Sequence, residues 1–292
     1  MANDQPQKKP DLDLPRLTTI KELGMKLPIG NFNADKNQLS KDFELRPYKA
    51  WVDRNINLWQ EEHEDEHIAK LVVKYISLVL ARIGQESFGL TAERDSTPEQ
   101  EMRVSKLYYA DVVYMYIMSR IKAVGPEMDM PYVCGRCGKT GIATADLWSL
   151  EVRVLDSPKQ LERWLTLQSG AELRDGTIAK KLKLRPIAYR AQLMSGASQS
   201  AARAGYNEFR EAVCGVDTKT GHYTLTDDEL DNFDKIDMLA LDRQAAVSSA
   251  GPDLRTHLTC PHSKCGAPIR EAFDWTFNTF FDSSVPLRIL VN

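Results

Sequence analysis

The strongest constraint on this chain is a pair of cysteine pairs. Cys134-Gly135-Arg136-Cys137-Gly138 is a C-x2-C turn, and Cys260-Pro261-His262-Ser263-Lys264-Cys265-Gly266 is a C-x4-C turn with two extra residues. Thiolates this close on a tight turn can both reach one ion at roughly 2.3 Å, and two such turns supply the four sulfurs of a closed tetrahedral zinc site. The glycine after each second cysteine lets backbone amides approach the sulfurs. The pairs are 122 residues apart. The expectation is therefore one structural Zn2+ per chain on Cys134, Cys137, Cys260 and Cys265, stapling together two halves of a zinc ribbon. The competing readings are unpaired structural cysteines or a redox dithiol, and no βαβ pattern surrounds Cys134 to favour the latter. His262 and His257 read as a loop and a strand histidine rather than ligands, and Cys214 as a small core residue.

The remainder of the chain alternates between two periods. Phe43 and Leu45 alternate with charge up to Pro47, which reads as a strand over 42–47. From Ala50 to Ile83 the pattern is helical, with Ile68, Leu71, Val72, Tyr75, Ile76, Val79 and Ile83 on one face and Gly84 as its stop. A second helix starts with Thr97 as N-cap, Pro98 at the first position and Gln100 completing a capping box, and ends at Gly125. Together these predict a helical hairpin. Residues 130–155 read as a knuckle with short strands. Lys180 to Arg185 alternates as a half-buried strand whose lysines fit an edge position, with phosphate contact as the alternative. Helical composition returns over 191–204 and again from Thr226 to Val247, apolar at Ile236, Leu239 and Leu241, before Gly251-Pro252. Strand alternation resumes at 254–258 and 269–273. No internal repeat is visible.

The fold class that follows is α+β: a helical hairpin plus a zinc-ribbon-like β element split by a long mixed α/β insertion. The segments are a disordered tail (1–16), an N-terminal strand and helical hairpin (17–127), a split ribbon element (128–155 plus 254–285) and the insertion (156–253). With 38 basic against 41 acidic residues, the formal net charge of −3 gives no general pull toward nucleic acid or an anionic membrane. The longest apolar run, Leu71 to Ile83, is interrupted by Lys74 and Arg82 and falls short of the roughly 20 residues a bilayer span needs. The polar start lacks a secretory signal's apolar region, so the expected location is the cytoplasm.

One catalytic signature does occur. His63-Glu64-Asp65-Glu66-His67 fits H-E-x-x-H, which on a helix places two imidazoles on one face with a glutamate as general base. Its acidic surroundings, and Lys70 and Val73 where an extended signature carries glycine and histidine, favour a solvated acidic turn. Phosphate-cradling glycine loops and nucleophile elbows are absent from the sequence.

The order of features resembles the T-even-type bacteriophage baseplate hub and hub-assembly proteins. Leu27-Pro28 and Phe43-Glu44-Leu45-Arg46-Pro47 are similar to that family's Leu-Pro element and strand ending in Arg-Pro. Asp111-Val112-Val113-Tyr114-Met115-Tyr116-Ile117-Met118-Ser119-Arg120-Ile121-Lys122-Ala123-Val124-Gly125 is similar to the stretch before its first cysteine pair, and Phe280-Phe281 echoes its aromatic ending. The wider C-x4-C turn, the N-terminal tail and the segment between the pairs depart from the family. The resemblance implies a non-enzymatic hub component or hub-assembly factor, with other hub or tail-tube initiation proteins as partners, in the host cytoplasm during assembly or in the tail baseplate. A nucleic-acid-binding zinc ribbon is the alternative, ahead of a metalloprotease using His63, Glu64 and His67.

Overall fold

The structure, a computed structural model, describes residues 15–33, 37–63, 67–196, 201–248, 250–254, 258–262 and 264–269. The expected tail lies outside this set up to residue 14, whereas Arg16 already opens strand β1 (Arg16–Thr19). A single-turn helix α1 (Ile20–Leu23), started by a Thr19/Glu22 capping box, leads to the hairpin β2 (Lys26–Asn33) and β3 (Gln38–Leu45). The pattern over 50–83 resolves into helices α2 (Ala50–Glu62) and α3 (Ile68–Val79) and then a strand, β4 (Leu80–Ile83), paired antiparallel with β3. Arg46 accounts for the switch from helix to strand. Its backbone N–H donates to the Val79 carbonyl at 2.7 Å, and its guanidinium donates to the carbonyls of Leu78, Leu80 and Phe88. The C-terminal carbonyls that a helix leaves without partners are thus satisfied from outside, and the chain can leave extended. Burial also differs from the single-face expectation: every residue from Leu71 to Val79 is buried, so α3 is a central helix.

The next helix also divides. After β5 (Glu86–Ser87), the Thr97/Gln100 capping box and Pro98 start α4 (Pro98–Ser105) as expected, but α5 (Tyr109–Val124) begins anew. The break is used: Tyr108 forms a β-bridge with Ala188, and the Leu107 carbonyl accepts from Tyr189 N at 2.8 Å. In place of a free-standing helical hairpin, the helices share one core with the sheet β2-β3-β4-β5.

Two strands, β6 (Glu127–Val133) and β7 (Thr140–Asp146), form the first cysteine hairpin, and β8 (Glu151–Val154) pairs back onto β1. Beyond it come β9 (Arg163–Glu172), β10 (Ile178–Leu184), α6 (Arg190–Gly196), α7 (Ala201–Ala212) and β11 (Val213–Val216). Then follow α8 (Asp227–Asp231), α9 (Lys235–Ser248), β12 (Gly251–Pro252), β13 (Leu258–Thr259) and β14 (Pro268–Ile269). The expected helix over 191–204 is thus parts of two helices. The lysine-rich strand is not an edge: β10 is the middle of β11-β10-β9. Its lysines are accommodated because Lys180 and Lys181 face solvent while Ala179, Leu182 and Leu184 are buried. Likewise Ile236 and Leu239 are exposed, and the inward face of α9 is instead Asp237 and Leu241, four residues apart.

The chain contains an internal repeat that the sequence did not disclose. β2-β3-α2-α3-β4-α4-α5 and β9-β10-α6-α7-β11-α8-α9 follow one plan, and their irregularities coincide. Between the pairs Lys26↔Asp42 and Asn31↔Ser40 the first hairpin loses register, and the second does so between Thr166↔Lys181 and Ala171↔Ala179. Gly30 and Gly170 occupy the same place in these bulges, with φ of +85° and +95°. An added Cβ there would sit 2.6 Å from the Ser40 carbonyl oxygen or 2.9 Å from that of Ala179, so only glycine fits either bulge. Leu45↔Leu80 and Leu184↔Val213 each follow a register shift. Arg46-Pro47 and Arg185-Pro186 come next, and the Arg185 N–H donates to the last carbonyl of α7, at Ala212, as Arg46 does to that of α3. Capping boxes open α4 (Thr97/Gln100) and α8 (Thr226/Glu229). Equivalent core positions are buried: Leu27 and Leu167, Phe43 and Leu182, Met115 and Leu241.

The correspondence continues beyond the helices. Asp111 and Asp237 are each the third residue of their helix, α5 and α9. Fourteen residues later each is followed by Gly-Pro, Gly125-Pro126 and Gly251-Pro252, the glycines at φ +97° and +115°. Twenty-three residues after each aspartate comes the first cysteine of a pair, Cys134 or Cys260. The stretch between the cysteine pairs therefore includes a second copy of the unit rather than a foreign insertion, and each copy ends in its own cysteine turn.

Candidate metal centre

The two turns are built alike. In the first, Cys134 N donates to the Lys139 carbonyl at 2.9 Å, Gly138 N donates to the Cys134 carbonyl at 2.8 Å, and Gly138 takes φ +66°. In the second, Cys260 N donates to the Ala267 carbonyl at 2.8 Å, Cys265 N donates to the His262 carbonyl at 2.8 Å, and Gly266 takes φ +54°. The two additional residues of the second turn are absorbed inside this closure, so β13 and β14 pair directly beyond it. The expected strand at 254–258 contributes Leu258, and the one at 269–273 contributes Ile269; His257 and residues 270–285, including Phe280-Phe281, lie outside the described residues.

All four sulfurs meet. Those of Cys134, Cys137, Cys260 and Cys265 lie within 4.8 Å of one another. Cys134 Sγ is 3.6 Å from Cys265 Sγ, and Cys137 Sγ is 3.8 Å from Cys260 Sγ. These contacts exchange into one another when the two turns are swapped, as the repeat requires. Both are too long for a disulfide bond of about 2.05 Å. They match the edge of about 3.8 Å of a tetrahedron with 2.3 Å metal–sulfur arms. Cys134 and Cys260 are buried, Cys265 is half-buried and Cys137 is exposed.

The electrostatics fit a cation. Backbone amides of Cys137 and Arg136 donate to the Cys134 sulfur and lower its pKa to about 6. The Ala267 amide pulls Cys265 the same way, but burial and hydrogen bonds with the other three cysteines outweigh it and leave Cys265 raised to about 11. One thiolate thus forms readily, while further ones repel each other unless a positive ion neutralises them. Among the described residues, a small apolar cluster of Tyr132, Ala143, Ala267 and Ile269 surrounds the sulfurs, with Leu258 at its margin. The Tyr132 hydroxyl hydrogen-bonds with Cys260, and its ring lies over Gly141, where an added Cβ would come within 3.1 Å. Arg136 Nη1 reaches the Cys265 carbonyl at 3.5 Å.

The aspartates missed from the sequence anchor the arms that carry these turns. Asp111, buried, accepts from Ile29 N at 2.8 Å and Gly30 N at 2.9 Å. Asp237, also buried, accepts from Gln168 N at 2.6 Å, Ser169 N at 2.9 Å and Gly170 N at 3.0 Å. The difference is explained by Pro28, which stands where Gln168 stands and has no N–H. Burial raises the Asp111 pKa to about 7, against the lowering effect of the two amides and of Lys41. Arg120 then fixes the exit from α5, donating to the carbonyls of Gly125 and Glu127.

Other candidates are not brought to the centre. His63 ends α2 and His67 begins α3, so the H-E-x-x-H residues span a helix break; Glu64, Asp65 and Glu66 lie outside the described residues. The His63 ring stacks on Trp59 at 4.5 Å, and His67 Nδ1 accepts from Ala69 N at 3.2 Å. Cys214 is buried in the second unit with its Sγ 3.4 Å from the Lys183 carbonyl oxygen, the core role expected of it. No helix among the described residues is long and apolar enough to cross a membrane. No protein-family model matches the chain, and neither a curated protein nor a solved structure does.

Proposed function

We propose that the four cysteines hold one structural zinc in a ribbon-like joint and that the protein is a non-enzymatic hub component or hub-assembly factor of a contractile-tail baseplate. The observation carrying the first part is the set of four clustered thiols, in which the protein supplies all four corners of the tetrahedron. Such a site keeps no open position for water or substrate and serves stability rather than catalysis. Zinc there would tie the ends of the two repeats together.

The second part rests on the resemblance at 43–47, 111–138 and 260–281. Several of the residues that carry it hold the architecture: Phe43 and Leu45 in the core, Arg46 at the end of α3, Asp111 on the β2 bulge and Arg120 at the start of the cysteine hairpin. On this reading the protein is a rigid scaffold that binds hub or tail-tube initiation proteins. Its test is a phage lacking the gene. Heads and tail-gene expression should be normal while baseplates remain incomplete, and assay of purified wild-type tails for the protein separates component from assembly factor. Normal tails without the protein would remove the baseplate reading, and a defect confined to late-gene transcription would replace it with nucleic-acid binding.

A further inference from the structure

The two repeats differ most at one place. In the first unit, Arg46 is held by three main-chain carbonyls, and the neighbouring positions on its helices are Trp51, Ser77 and Leu78, the last two fully buried. At the equivalent positions of the second unit stand Arg185, Arg190, Arg210 and Glu211, and the packed surface has become an open cleft of about 690 Å³. Arg174 and His222 complete its charged wall. The fold does not demand this cleft, since the other copy of the same plan is filled.

We propose that this cleft binds a small ligand carrying a terminal phosphate. Glu211 orients two of the guanidiniums: Arg190 clasps it through both oxygens at 2.9 and 3.1 Å, and Arg185 Nη2 lies 3.4 Å from it. Arg210 pairs with Asp227 at 3.1 Å. Four arginines against Glu211, Asp227 and the Glu229 that pairs with Arg174 leave an excess of one positive charge at the lining. A phosphate monoester offers three terminal oxygens to several of these guanidiniums at once, whereas a carboxylate offers two. Glu229, 3.8 Å from Arg174, is itself buried and also accepts from Tyr223, Thr226 and the Arg174 backbone N–H, which hold it ionised beside that guanidinium. The guanidinium fork suits phosphate oxygens bidentately. His222 keeps Nδ1 on the Cys214 carbonyl at 3.1 Å, leaving Nε2 outside that bond as a further donor or acceptor. The volume suits a nucleotide-sized or smaller molecule. A duplex would require a basic surface extending beyond one cleft, which a chain of net charge −3 argues against.

The test is calorimetric titration of the full chain with inorganic pyrophosphate, with succinate and a single-stranded oligonucleotide as comparison ligands. The variants are Arg190→Gln and Arg174→Gln, whose side chains are 49% and 65% exposed, so that neither should disturb folding. Pyrophosphate should bind with submillimolar Kd and lose about tenfold or more in each variant, the loss of one charge-assisted contact. Arg82→Gln, an exposed arginine of the first unit, should change nothing. Equal binding by Arg190→Gln, or no binding at millimolar pyrophosphate, would reduce the cluster to an internal ion-pair network and overturn the proposal. Succinate binding as well as pyrophosphate, or an oligonucleotide displacing it with higher affinity, would overturn it in favour of carboxylate or nucleic-acid recognition.

Discussion

The first unit, from β2 to α5, and the second, from β9 to α9, share their bulges, aspartate clamps and turns but use the rest of their sequence differently. The first buries α3 almost all round and places Trp51, Ser77 and Leu78 beside Arg46. The second has a shorter helix, α8, where the first has α4, and a separate core. Features common to both are those the backbone cannot do without: glycine where φ is positive, an acceptor for two or three bulge amides, and an arginine at the return of the second helix. Features that differ are side chains free to vary once those conditions hold.

The largest test of the comparison is at the joint. Cys134→Ser and Cys260→Ser occupy equivalent positions, so each should abolish most metal binding and lower Tm by roughly 10 °C or more. Metal analysis and thermal melts check this. Retention of full zinc by one variant and its loss in the other would break the equivalence of the turns.

Next come the clamps. Asp111→Ala strands two buried amides, each costing about 1–3 kcal/mol without a partner, whereas the three amides held by Asp237 are only part-buried and water can replace the lost acceptor. Urea unfolding should show losses of about 2–5 kcal/mol for Asp111→Ala and a smaller loss, about 1–3 kcal/mol, for Asp237→Ala. A loss below about 1 kcal/mol in either would mean that the bulges hold without their aspartates.

A smaller effect sharpens the role of Asp111. Its folded pKa, raised by burial to about 7, lies above the ordinary aspartate value of 3.8, so the folded state binds the proton more tightly than the unfolded state. Its contribution to stability is therefore full below about pH 4 and declines as pH rises to about 7, by at most about 1.4 kcal/mol per pH unit. Asp111→Asn, which does not titrate, should remove that slope. An identical pH profile in the two proteins would mean that the amide bonds and Lys41 keep the carboxylate ionised throughout.

The sequence by itself determined which four cysteines come together in a cluster able to hold a metal ion, because thiol spacing on a turn is local and chemically distinctive. It also determined the local signals, such as the Thr97-Pro98 start, a strand that stops ahead of Pro47, though at Leu45 and with its start at Gln38 rather than 42, and the buried Cys214. Tertiary structure decided where helical periodicity stops: Leu80 to Ile83 fits either period, and only pairing with β3 and the capture of carbonyls by Arg46 make it a strand. It also decided the lysine strand's central position, since a strand's neighbours are not encoded in its own alternation. The repeat lay between these cases. Its marks, Gly30 and Gly170, Arg46-Pro47 and Arg185-Pro186, and the two Gly-Pro steps, are present in the sequence but isolated, because the stretches between them differ in length from one unit to the other. A bulge and its clamp are joined by hydrogen bonds across 81 residues in one unit and 67 in the other, and contacts that distant acquire meaning only when the chain is folded.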